Sequence, residues 1–503
     1  MRAADETDDA VGDRANDAVR VAAKDLRCKV IGEGANLGMT QRGRIEAAFN
    51  GIRLNTDAID NSAGVNTSDM EVNIKIALSI PLRDGRITQA ARNALLGEMT
   101  DEVAALVLRN TYLQTLALSL AERRGMEDFG FLARLIQTLE ARGLLDRAVE
   151  SLPDDTALTE RRRRASPFTR PELSVLLAYA KLALDDDLNE SSVPDDPYLA
   201  REIGRYFPQA IAERFPDALE RHRLRREIIA TRLGNSMINR GGPALTVRIA
   251  DQTGAAPAAI AAAFAAVRDS YEMTALNGAI DELDNRISGK VQLELYAAVQ
   301  DLLLDRIVWF LRNVDLSAGL ADVVRHYRDG IAAVAASLEG ALAAGGLRER
   351  AARRSVLAGA GVPDALAGRL ADLGPLNAAP DIVLVADRTG RPVGEVAAIY
   401  FAAGAFFGLD RITSAAKAIA VTDYFDRLAL DRARDSIGDA ERRITAGMVK
   451  AGAQGAAAVA AWVAPRRGEV ERVRLAMTEI VGSGLTVSKL SVAASLLGDL
   501  AKS

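Results

Sequence analysis

A strand–glycine turn–helix–strand pattern, set ahead of a chain that reads helical almost to its end, predicts a mainly α protein. The N-terminal part is expected to be a partial Rossmann-like α/β segment of two strands and one helix, and a long all-helical region follows it. Three observations carry this reading. The stretch "RCKVI", "GEGANLG", "MTQRGRIEAAFN", "IRLNT" switches from an apolar run to glycines, to helical spacing and back to an apolar run. After Ser68 the apolar positions recur at helical spacing, with alanine, leucine and arginine dominant. Downstream there is only one ambiguous strand-like run, too little to supply the several further strands that a parallel sheet needs.

Taken in order, residues 1–14 read as a flexible, acidic tail. Residues 15–75 read as a piece of a cofactor domain, 76–345 as a helical region, and 346–503 as a helical C-terminal subdomain. Val30 and Ile31 lead into Gly32, Gly34 and Gly38. Ile45, Ala48 and Phe49 then share a helical face that Gly51 ends. Ser68-Asp69-Met70-Glu71 has the form of a capping box, with Val72, Ile76 and Ile80 following and Pro81 closing the run. Thr169-Arg170-Pro171-Glu172 is a second capping box, opening "LSVLLAYAKLAL". "LRREIIATRLGNSMINRGGP" and "LYAAVQDLLLDRIVWFLRN" are strong helices. "DIVLVA", Asp381 to Ala386, reads as a short strand or a helix.

Composition narrows function. A net charge of −5 disfavours nucleic acid as a partner. One cysteine, Cys28, and two histidines, His222 and His326, cannot build a His/Cys metal site. The lone cysteine and the polar N-terminus, with no secretory signal, point to the cytoplasm. "VAAIYFAAGAFFGL", Val396 to Leu409, is shorter than the roughly 20 apolar residues of a spanning helix, so a buried helix is expected and no membrane partner. "RRRR" at 161–164 reads as a solvated basic face.

The glycines run G-x-G-x-x-x-G, one residue longer than the first turn of a dinucleotide fold, although Asp57 does follow the second strand. If these strands belong to such a domain, they are its last two. "GEGANLGMTQRGRIEAAFNGIRLNTDAIDNSAGVNTSDMEVNIKIAL" resembles the end of the catalytic domain of the large NAD-specific glutamate dehydrogenases of bacteria. "LDRAVESLP", "TRPELSVLLAYAK", "HRLRREIIAT" and "DRIVWFLRN" extend the resemblance over nearly the whole chain. It implies NAD as cofactor, with Gly34, Ala35 and Asn36 of E-G-A-N and Asn61 of the following motif at the nicotinamide end. It implies Val65 and Ser68 lining the pocket for the side-chain carboxylate of glutamate or 2-oxoglutarate. Relative to the small glutamate dehydrogenases the chain departs at Asp60 and at Ser62-Ala63, in the manner of the large ones. The catalytic lysines and aspartate of the family are expected upstream, so no catalytic residue is assigned here. The implied partners are the missing N-terminal portion of the same enzyme and further copies in a homo-oligomer. The residues alone leave other readings open: a left-handed turn at Gly34 and Asn36, a simple helix cap at Ser68, and a free-standing helical interaction module.

Overall fold

The computed structural model describes residues 1–34, 37–419, 421 and 423–502. They divide into two compact units, Met1–Ala262 and Ala263–Ser503.

The first unit begins with the glycine-rich segment. The expected two-strand Rossmann-like piece is not there: among the described residues there is no strand or sheet. What remains is one isolated parallel bridge, Val30 with Arg53, and a second, Arg2 with Ala22. Ile31 N–H donates to the Arg53 carbonyl at 3.0 Å, and Arg53 N–H to the Lys29 carbonyl at 3.0 Å. The physical reason is the count of neighbours. A parallel pair has little stability unless further strands extend it and both faces are covered, and no further strand stands beside this pair among the described residues. Residues 1–14 are bonded rather than free. The Met1 amino group donates to the Gly38 carbonyl at 2.7 Å, and Ala4 N–H to Glu46 at 2.6 Å. A small core of Ala23, Met39, Ala47, Ile52 and Leu54 holds the segment together.

The rest of this unit is helical. Helix α1 is Gln41–Phe49, α2 Ser62–Arg83, α3 Thr100–Arg124, α4 Phe129–Ala141, α5 Arg170–Asn189 and α6 Arg225–Gly241. Helix α5 starts at the capping box the sequence announces. Glu172, fully buried, accepts from Thr169 N–H at 2.7 Å and takes both arms of Arg161, at 2.9 and 2.7 Å. Arg161 is therefore a structural counter-ion, not part of a solvated face. The apolar side of α5 packs on α1, α3, α4 and α6. By length and composition residues 100–127, which contain α3, are long and apolar enough to cross a membrane. In this fold α3 packs on α2, α5 and α6.

The second unit is built on a buried polar hub. Helix α7 is Gly289–Asn313, α8 Leu320–Ala341, α9 Ala379–Thr389, α10 Val393–Phe407, α11 Leu409–Lys417, α12 Tyr424–Lys450 and α13 Val487–Leu500. "DIVLVA" is therefore helical. Asp381 at the start of α9 is buried. One of its oxygens accepts from Trp309 Nε1 of α7 at 2.7 Å and from Arg442 of α12 at 2.6 Å. Arg306 lies 3.7 Å from the other oxygen.

The apolar stretch Val396–Leu409 falls mostly in α10, with Val396, Ile399, Tyr400, Ala403 and Phe407 buried. Gly404 lets α12 come close: a Cβ would stand 2.9 Å from the Glu441 carboxyl oxygen, which would have to shift. That carboxylate also meets the Tyr400 hydroxyl at 3.0 Å. Burial pushes the Glu441 carboxyl up to about 8 from its usual 4.5. The Tyr400 bond pulls it back, and Asp381 and Asp410 push it further up. The folded chain then keeps a proton that the unfolded chain releases, so stability falls as pH rises between 4.5 and about 8. Glu441→Gln should remove much of that slope and stabilise the unit at pH 8 by a few kcal/mol, on the order set by linkage. Denaturant unfolding at pH 6 and pH 8.5 checks this, and equal slopes in the two proteins would refute it. Both tryptophans, Trp309 and Trp462, lie in this unit, so their fluorescence reports it alone.

Candidate functional site

The segment Glu33–Ser68 is assembled from the residues outward. Glu33 is buried and fully engaged. It grips Arg44 of α1 through Arg44 Nε at 2.8 Å and a terminal nitrogen at 2.5 Å, and it accepts from Met39 N–H at 3.1 Å. Glu33 and Met39 are thus both tied to the start of α1. The Glu33 backbone N–H donates to Asp60 at 3.0 Å. That bond brings the glycine turn beside the joint between the one-turn helix Asp57–Asp60 and α2, and Asn61 stands at this joint.

Gly34 is exposed, with open space where a Cβ would be. It does not take a left-handed backbone. That conformation falls to Leu37, with φ +70°, an exposed leucine. A non-glycine residue there is strained by about 1–2 kcal/mol, and such strain recurs where a backbone is held for function. Ala35 and Asn36, expected at the nicotinamide end, lie outside the described residues.

Helix α2 begins at Ser62, so Ser68 lies in its second turn and is not a cap. The Ser-x-x-Glu spacing there belongs to a helix already under way. Pro81 likewise sits inside the helix, which runs on to Arg83. One face of α2 is fixed to the fold. The Ser62 hydroxyl is 3.4 Å from that of Thr111, Asn66 accepts from Asn110 at 3.1 Å, and Met70 and Ile74 are buried. Asn73 donates to the Tyr206 hydroxyl at 2.9 Å, and its carbonyl meets His222 Nε2 at 3.1 Å. Leu224 N–H donates to His222 Nδ1 at 3.1 Å, so Nε2 carries the proton and the ring is neutral. Burial lowers the affinity of this imidazole for a second proton.

The opposite face of α2 carries Val65, Ser68 and Val72, three and four residues apart and therefore stacked. All three are exposed, Val65 to 69% and Val72 to 54%. The structure thus brings Gly34 and the Asn61 joint together through Glu33 and Asp60. It places Val65 and Ser68 together on an open, partly apolar helix face. It supplies no cluster of three or more His, Cys, Asp or Glu side chains fit for a metal among the described residues.

Sequence reasoning missed Asn55 and Arg170. Asn55 Nδ2 donates to Asp60 at 2.6 Å, and Arg170 Nε donates to Asn55 Oδ1 at 2.5 Å. The signal for Asp60 was its departure from the small-enzyme pattern. Arg170 lay in plain view inside a capping box, but its partner is 115 residues away.

Glu33 and Asp60 thus join the Asn61 joint to Gly34, and an exposed Val/Ser face lies on the helix that follows. Comparison with known proteins identifies the family. The family described as "Bacterial NAD-glutamate dehydrogenase, catalytic domain" matches residues 1–121, and "Glutamate dehydrogenase, C-terminal" matches residues 165–499. The NAD-specific glutamate dehydrogenases of Halomonas elongata and Pseudomonas aeruginosa are each 40% identical to it. Each alignment spans 508 residues, covering 100% of this chain and 31% of the relative. That of Mycobacterium tuberculosis is 33% identical, over 98% of this chain and 30% of its own length. The chain therefore belongs to the large NAD-specific glutamate dehydrogenases of bacteria, matching the end of their catalytic domain and their helical C-terminal region. It spans about a third of the length of the curated relatives it matches.

Proposed function

We propose that this chain is the C-terminal part of a cytoplasmic, homo-oligomeric NAD-dependent glutamate dehydrogenase, which converts glutamate, NAD and water to 2-oxoglutarate, ammonia and NADH. On this reading residues 15–75 are the last piece of the cofactor domain, and 76–345 and 346–503 are helical regions that brace it. NAD, when bound, accepts the hydride that leaves the glutamate Cα. Gly34 offers an open backbone for a flat ring to approach, and the Asn61 amide suits a carboxamide. Val65 packs on the substrate's methylenes, and the Ser68 hydroxyl donates to its side-chain carboxylate.

The observation that carries the reading is the open face of α2. It presents Val65 and Ser68 at one helical spacing on the helix that follows the Asp60 joint to Glu33, with Val30 at the isolated bridge also 66% exposed. Such surface on a glycine turn and a helix is expected where a further part of the same enzyme closes over it. The catalytic lysines and the diphosphate turn belong to that part.

The chain alone should therefore show no NAD-dependent glutamate oxidation, and co-expression with the upstream portion should produce it. Cys28, exposed and next to the bridge, gives a second readout. A thiol reagent should label it readily in the chain alone and more slowly in the assembled protein. Turnover that tracks the purified chain by itself would overturn the proposal.

A further inference from the structure

We infer that Arg170, a residue of the C-terminal region, is a positioning residue for the nicotinamide-side wall; this rests on the function proposed above. Arg170 is the first residue of α5, and its side chain is only 12% exposed. Its guanidinium reaches four acceptors. Nε donates to Asn55 Oδ1 at 2.5 Å, one terminal nitrogen to the Thr115 carbonyl at 3.1 Å, and the other to Ser119 Oγ at 3.1 Å and Glu122 at 3.3 Å. Three of these lie on α3, so Arg170 ties Asn55 to the helical body. The start of α5 is itself fixed by the buried Glu172–Arg161 pair, which sets where Arg170 can point.

The string continues in one direction only. With its oxygen taken by Arg170, the Asn55 amide must turn its NH2 toward Asp60, because the flipped amide would set donor against donor and acceptor against acceptor. Asp60 then uses one oxygen for Asn55, at 2.6 Å, and the other for Glu33 N–H, at 3.0 Å. Asn61 is the next residue along the backbone. Arg170 thus holds both the glycine turn and the asparagine joint through two intermediates, without touching either. Lysine cannot replace it: a single ammonium does not span acceptors on Asn55 and two turns of α3.

The test uses hydrogen exchange on the 503-residue chain and kinetics on the chain assembled with its upstream portion. Arg170→Met should speed exchange in residues 29–40 roughly tenfold or more, the effect of a local opening whose brace is lost. Asn55→Ala, which cuts the string but leaves Arg170 bonded to α3, should do the same. Arg147→Met, which removes an Arg–Glu140–Asp155 cluster in the same unit, should leave residues 29–40 unchanged. In the assembled enzyme Arg170→Met should raise KM for NAD about tenfold, the equivalent of one charge-assisted hydrogen bond. kcat should fall far less, and Arg170→Lys should restore little. Unchanged exchange at 29–40 in both string variants overturns the inference. So does faster exchange with an unaltered KM for NAD. The exchange arm needs no turnover, so it stands apart from whether the assembled protein oxidises glutamate.

Discussion

Asp381→Ala should destabilise the second unit by about 3–5 kcal/mol, the range for removing one partner of a buried ion pair. The side chain joins three helices. Its carboxylate is the acceptor for Trp309 of α7 and Arg442 of α12, with Arg306 nearby. Truncation leaves a buried guanidinium facing a cavity and an indole N–H without its acceptor. Arg442 retains Asp439 at 2.9 Å, which keeps the loss from being larger. Asp381→Asn should lie between alanine and wild type, since an amide oxygen still serves Trp309 but the charge is gone. Urea unfolding followed by tryptophan fluorescence reads this unit directly. A shift under about 1 kcal/mol, the centre of the range for point substitutions in general, would show that the hub is not a keystone.

How much of this was legible in the sequence depended on how local each signal was. The capping box at Thr169–Glu172 is a four-residue pattern, and it stands in the structure as read. The same pattern at Ser68–Glu71 misled. Helix α2 begins six residues earlier, through Gly64 and Asn66, which are weak helix formers; Asn66 is held by Asn110 of α3. The two expected strands failed for a non-local reason. Their runs are apolar and short, as strand sequences are, yet a sheet needs more strands beside them, and the described residues hold only the isolated Val30–Arg53 bridge. The run Ile382-Val383-Val385 is rich in β-branched residues, yet it is helical, opened by Pro380 in the first turn and buried within the unit. The arginines were the least legible. Arg161 reads as one of four in a row, and only the fold brings Glu172 and the Phe49 ring to it. Arg170 and Asn55 are joined across 115 residues, and nothing at either position announces the other.

The candidate site was legible as a list and not as a geometry. The motif residues Gly34, Asn61, Val65 and Ser68 could be named from the resemblance. That Glu33 is wholly committed to Arg44 and Met39, and that Asp60 ties the two motifs together, required coordinates.

The open face of α2 is proposed to be one wall of a glutamate pocket. The measurement that tests it most directly is the kcat/KM ratio for glutamate over norvaline, in the assembled enzyme, before and after Ser68→Ala. Ser68 is an exposed residue inside a helix, so its loss removes no cap and should change stability by no more than about 0.5 kcal/mol. A hydroxyl bonded to a charged carboxylate contributes about 1.5–3 kcal/mol, roughly 10- to 150-fold in kcat/KM. Norvaline lacks that carboxylate, and any fault in folding or assembly divides out of the ratio. The account predicts that the ratio falls by roughly 10- to 150-fold, the range set by that hydrogen bond. A ratio that does not move, whether both substrates suffer equally or neither does, would contradict it.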